Sequence, residues 1–109
     1  MTSTPGLGKL ELAVLIAVAT LGDEAYGLGI RHDVSIRRKH DYSVGAIYTT
    51  LGHLERKGLV RSWTTEPLPI RGGRSRRQYK VSAHGQRVLR EARQLATQLQ
   101  DLVTSTRPA

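Results

Sequence analysis

The chain has 109 residues, with 17 Lys and Arg against 9 Asp and Glu, and carries a formal net charge of +8. That length supports one domain with one buried core and leaves no room for a large two-domain enzyme. The absence of cysteine excludes disulfides, thiolate metal sites and a cysteine nucleophile.

Aromatics make up only 5%, with no Phe and one Trp, so the core must come mainly from Leu, Val, Ile and Ala. Residues 31–80 hold twelve bases against four acids, which accounts for the whole net charge; elsewhere five bases balance five acids. An excess clustered in this way points to a polyanion partner.

Residues 10–21 are apolar except for Glu11 and Thr20. The run is shorter than a bilayer span, which takes about 20 residues. Lys9 ahead of it and the small-x-small Ala17-Val18-Ala19 resemble an export signal. The single base, the acid inside the apolar run and the lack of a polar spacer favour a buried helix instead. Leu12, Leu15, Ala19 and Val14, Val18, Leu21 supply its three- and four-residue spacings. Gly6-Leu7-Gly8-Lys9 mimics a phosphate loop, but Leu10 follows the lysine where Ser or Thr is needed.

Gly22-Asp23-Glu24 ends this helix, and its two acids are placed to cap the next. A second helix is predicted from 26 to about 36, with Leu28, Ile30, Val34 and Ile36 toward the core. Arg37-Arg38-Lys39-His40-Asp41 is a basic connector. A third helix follows over 43–57, with Ser43 as N-cap and Gly58 as its stop. Residues 59–65 and 77–81 alternate like paired strands. Pro67, Pro69 and Gly72-Gly73 mark a long hairpin tip between them, and Ser82 opens a last helix running to about 104. The expected fold class is α+β, mainly α: a winged helix-turn-helix with a C-terminal dimerisation helix. Residues 1–8 would be a disordered arm, 9–81 the winged domain, 82–105 the dimerisation helix and 106–109 a tail.

The third helix carries the sharpest chemistry. Ala46, Ile47, Leu51 and Leu54 form its apolar stripe, leaving Gly45, Tyr48, Thr49, Gly52, His53 and Arg56 on the opposite face. Small residues there allow close approach to a groove wall, while Tyr48, Thr49, His53 and Arg56 offer donors, acceptors and a methyl group to base edges. A plain solvent face would gain nothing from two glycines, each costing about 1 kcal/mol in a helix.

Arg71, Gly72, Gly73, Arg74, Arg76 and Arg77 belong to a seven-residue stretch with four Arg and no acid, suited to phosphates or a narrow minor groove. Arg37, Arg38 and Lys39 flank the third helix and would reach phosphates too. The blander readings are a solubilising loop and an ordinary solvated turn. In the last helix Val88, Ala92, Leu95, Leu99 and Leu102 recur at spacings of three and four, with Leu89, Ala96 and Val103 seven apart beside them. So long a stripe favours a second copy of the chain, while packing on the first helix is the alternative.

Catalysis has little support. His32-Asp33 and His40-Asp41 lack a third ligand at metal spacing, and no serine lies in a nucleophile elbow. No enzyme activity, metal or cofactor is expected.

Leu10-Glu11-Leu12-Ala13-Val14-Leu15, Tyr26-Gly27 and Tyr42-Ser43-Val44-Gly45-Ala46-Ile47-Tyr48 resemble PadR-type transcriptional regulators. So do 51–60, similar to that family's recognition-helix exit, and 72–85, similar to its wing and last-helix start. The resemblance runs in register from about 9 to 90 and matches the short branch with a single C-terminal helix. It implies a cytoplasmic homodimer on double-stranded DNA, usually a repressor released by a small phenolic or drug-like inducer. Tyr48 matches the family's recognition-helix tyrosine, and 74–77 its basic wing. Thr49 stands where a proline is common, and the inter-strand loop is longer than usual. Residues 82–109 hold no aromatic, so the drug-stacking residue of multidrug-binding members has no counterpart. The expected function is a sequence-specific repressor on a palindrome. The alternative is a non-specific DNA or RNA binding module held by the wing arginines.

Overall fold

The computed structural model of the chain describes residues 6–65 and 76–105. In chain order these form α1 (Lys9–Leu21), a 3-10 turn (Gly22–Glu24), α2 (Gly27–Arg38), α3 (Val44–Arg56), β1 (Val60–Thr64), β2 (Arg77–Val81) and α4 (Ala83–Ser105). Strands β1 and β2 pair antiparallel, with Val60 opposite Val81 and Thr64 opposite Arg77. Gln78 also bridges to Tyr26 just ahead of α2. The architecture is the expected winged helix. The outer part of the expected arm, the hairpin tip at 66–75 and the tail at 106–109 lie outside the described residues. Leu7, assigned to the arm by sequence, packs against the core.

The helix ends follow from their terminal residues. Ser43 Oγ accepts from the Ala46 N–H at 3.0 Å and starts α3. Gly58 closes it at φ 75°, a left-handed position that suits a residue without Cβ. Ser82 Oγ accepts from the Gly85 N–H at 3.0 Å to start α4, and donates to the Gly58 carbonyl at 2.6 Å. One hydroxyl thus ties the start of α4 to the end of α3. Asp23 and Glu24 do not cap α2 as expected. They lie in the 3-10 turn, and the N-cap position is Tyr26, with no side-chain cap.

The core brings together Val14, Leu15 and Val18 of α1, Ile30 and Val34 of α2, and Ile47, Leu51 and Leu54 of α3. Leu59, Val60, Tyr79, Val81 and Val88 close it from the sheet and α4. Two expected core residues are misplaced: Leu28 is 66% and Ile36 62% exposed. At about 3.6 residues per turn, both fall on the side of α2 opposite the Ile30–Val34 stripe. In α1, Ala19 is exposed although the expected stripe includes it, and Ala17 is buried instead.

Glu11 joins the ends of two helices. Its Oε1 accepts from the Gly8 N–H at 3.0 Å, and its Oε2 accepts from Lys57 Nζ, just after α3, at 2.9 Å. The Gly8 hydrogen bond first, and then Lys57, hold the carboxyl below its ordinary value of 4.5. A depressed native value means stability that is present above that ordinary value and lost as the pH falls through the native one. Denaturant unfolding between about pH 6 and about pH 3 should therefore show an acid-side loss that is smaller in Glu11→Gln. Ser43→Ala should lower unfolding stability by about 1 kcal/mol through loss of its cap.

Candidate nucleic-acid interface

Burial of Ile47, Leu51 and Leu54 sets the rotation of α3 and turns its other face to solvent. Gly45, Thr49, His53 and Arg56 are exposed there, with Gly52 half-buried beside them. Ser43 is exposed at the helix start, its hydroxyl already used by the cap. Tyr48 is 43% exposed and differs from its neighbours. Its hydroxyl rests on Gly27 in the first turn of α2, where any added Cβ would collide with the phenol. Gly27 is therefore a contact requirement, and the end of the Tyr48 side chain is directed toward α2.

The connector between α2 and α3 is fixed by side chains. Arg31 Nε donates to the Tyr42 carbonyl at 2.6 Å and Nη2 to Asp41 Oδ1 at 3.2 Å. The Tyr42 N–H donates to Ser35 Oγ at 3.2 Å, and the rings of His40 and Tyr42 lie 4.4 Å apart. Of the bases assigned to phosphates here, Arg37 pairs with Asp33 at 2.9 Å and Arg38 donates to the Tyr42 hydroxyl at 2.7 Å. Both remain exposed and keep further donors, and Lys39 is exposed at φ 54° in the turn itself.

At the hairpin root, Arg77 Nε donates to Ser62 Oγ at 3.0 Å, and Ser62 Oγ donates to Glu55 Oε2 of α3 at 2.9 Å. This chain couples the wing to the recognition helix. The Arg76 guanidinium sits 4.9 Å from the centre of the Tyr26 ring. Arg71, Gly72, Gly73 and Arg74 lie outside the described residues. Between the first turn of α2, Tyr48 and the two root arginines is a cavity of about 410 Å³. Sequence reasoning missed five of its lining residues: Glu24, Tyr26, Gly27, Leu28 and Gly29. No local signal in the sequence marks them, because Leu28 resembles a core residue until the phase of α2 is fixed.

The stripe of α4 divides in two. Val88 is fully buried in the core of its own domain, so it is not available to a partner, contrary to its assignment as an interface residue. Leu89 and Ala92 are half-buried. Beyond them every residue from 93 to 105 is exposed, including Leu95, Ala96, Leu99, Leu102 and Val103. The second half of α4 extends past the domain, and with it the described residues span 66 Å along their longest axis. Among the described residues, Leu95 and Leu99 lie more than half exposed on this part of the helix.

Among the described residues no group of three or more His, Asp and Glu could hold a metal ion, and no helix is long and apolar enough to cross a membrane. Asp33 and Asp41 of the two His-Asp pairs are taken by Arg37 and Arg31.

The model of the transcriptional regulator PadR-like family matches residues 15–91. No curated protein matches the chain. Among solved structures, a PadR-like transcription factor from Bacteroides fragilis superposes with a TM-score of 0.71 at 20% identity, covering 90% of this chain and 89% of that one. A PadR-like transcriptional regulator from Bacillus cereus gives 0.69 at 21% identity, covering 88% of each. A PadR family transcriptional regulator from Eggerthella lenta gives 0.62 at 26% identity, covering 88% of this chain and 85% of that one. With a family match over most of its length and the same winged-helix architecture, the chain belongs to the PadR-like family of transcriptional regulators.

Proposed function

We propose that the protein is a sequence-specific DNA-binding repressor that acts as a homodimer on a palindromic operator. The observation that carries this reading is the solvent-facing surface of α3. Thr49, His53 and Arg56 stand exposed beside small residues, flanked on one side by the Arg37–Lys39 connector and on the other by Arg76 and Arg77. Side chains on such a helix can meet base edges while flanking bases take phosphates. Ile47, Leu51 and Leu54 lock its rotation, so the face is presented in one orientation.

The dimer follows from α4. Leu95 and Leu99 are exposed four residues apart beyond Ala92, and a second copy crossing the same stripe would bury both. A twofold pair of recognition helices reads two inverted half-sites, hence the palindrome. Release by a small-molecule inducer is the part of this reading that rests on family membership alone.

Selection of bound duplexes from a random pool should enrich an inverted repeat. Recovery of no common sequence would favour the non-specific nucleic-acid binder. With about 6–10 phosphates engaged, affinity should fall roughly 10³–10⁵-fold between about 50 and 200 mM salt. Leu99→Glu places a charge in the proposed interface and should halve the mass seen by light scattering. A mass equal to that of the unsubstituted protein would argue against an α4-mediated dimer.

A further inference from the structure

The cavity beside α3 changes what Tyr48 does. A base-reading side chain has to project along the outward face held by Thr49, His53 and Arg56. Tyr48 instead leaves that face, and its hydroxyl rests on Gly27 at the start of α2. The groups sharing its cavity are the guanidiniums of Arg76 and Arg77, the Tyr26 ring and Leu28. Arg76 is held over the Tyr26 ring at 4.9 Å, and Arg77 is tied through Ser62 to Glu55. Both cations are therefore placed by the fold and do not sweep freely.

We propose that this cavity seats one backbone phosphodiester of the bound DNA, held by the Tyr48 hydroxyl and the Arg76 and Arg77 guanidiniums, which makes Tyr48 a backbone-gripping residue and not a base reader. The inference rests on the DNA-binding function proposed above. Every hydrogen bond that this set offers from Arg is a donated one, as an anion with acceptor oxygens requires. Glu24 also lines the cavity, and two guanidiniums against one carboxylate leave it net positive. The first turn of α2 on its wall contains no acid and no side-chain cap.

Two sources of a phosphate ester are possible in chemistry, a polymer and a free metabolite. Small-ligand sites bury most of their ligand's surface. Here Tyr48 is 43% exposed and Arg76 and Arg77 are exposed, so the seat is open on the face where α3 and the wing converge. An open cleft between two DNA-facing elements fits a strand lying across it.

The test uses the full chain, the duplex enriched by selection and a scrambled duplex of the same composition, with binding read by fluorescence anisotropy. Tyr48→Phe keeps the ring on Gly27 and removes only the hydroxyl. It should weaken both duplexes by the same factor, roughly tenfold for one charge-assisted hydrogen bond, leaving their affinity ratio unchanged. Replacing phosphates one at a time with uncharged methylphosphonate should reveal one linkage in each half-site where the unsubstituted protein loses more affinity than Tyr48→Phe does.

A fall in the affinity ratio for Tyr48→Phe would make it a base reader and overturn the proposal. So would unchanged affinity for both duplexes, while DNA binding by the unsubstituted protein would keep the broader function intact. Failure of that protein to bind either duplex would remove both readings. Saturable binding of thymidine monophosphate at millimolar concentration without DNA, lost in Arg76→Ala, would assign the seat to a free phosphate ester and overturn the assignment to DNA. Matched thermal melts of both variants separate these results from misfolding.

Discussion

Helix α1 has Val14, Leu15, Ala17 and Val18 buried among α2, α3, the sheet and the root of α4, and the positions of the other elements depend on that packing. With no Phe and a single, half-exposed Trp, the core holds one buried ring, that of Tyr79, and is otherwise aliphatic. Its stability comes from many close-fitting aliphatic side chains, each contributing about 1.5–3 kcal/mol when fully buried. The same contacts decide function indirectly, because Ile47, Leu51 and Leu54 reach this core only at one rotation of α3. The outward face of the recognition helix is the geometric complement of that choice.

Polar links then hold the surface elements to one another. Glu11 with Lys57 joins the start of α1 to the end of α3. Ser82 joins the end of α3 to α4, Arg31 pins the connector, and Glu55 reaches Ser62 and Arg77. Each is worth little alone at a solvated surface. Their common effect is positional: they fix the angle between the recognition helix and the wing root, where the positive charge is concentrated. Several cations of the +8 excess thus have partners inside the protein. Arg37 pairs with Asp33 and Arg38 with the Tyr42 hydroxyl, and both side chains remain exposed.

Much of this fold can be read from the chain, because its signals are local. Ser43 and Gly58 mark both ends of α3, and alternation in 59–65 and 77–81 marks the hairpin, since caps, turns and pleats depend on neighbouring residues only. Leu28 and Ile36 were misread because an apolar residue in a helical segment resembles a core residue until the helix phase is fixed. Ile30 and Val34 fix that phase, and only by meeting α1 and α3. Val88 was misread for a related reason. It shares a stripe with Leu95 and Leu99, and periodicity does not show where along the stripe the domain ends.

The winged-helix order of elements, the concentration of charge between residues 31 and 80, and the family are legible along the chain, because all three are one-dimensional patterns. Tertiary structure alone decided how α4 divides between core and exposed stripe, which arginines take partners within the chain, and where Tyr48 points. The last depends on Gly27, distant in sequence and on another helix, leaving space for a phenol. Contacts of that kind come from the packing of three elements together, and no local spacing encodes them.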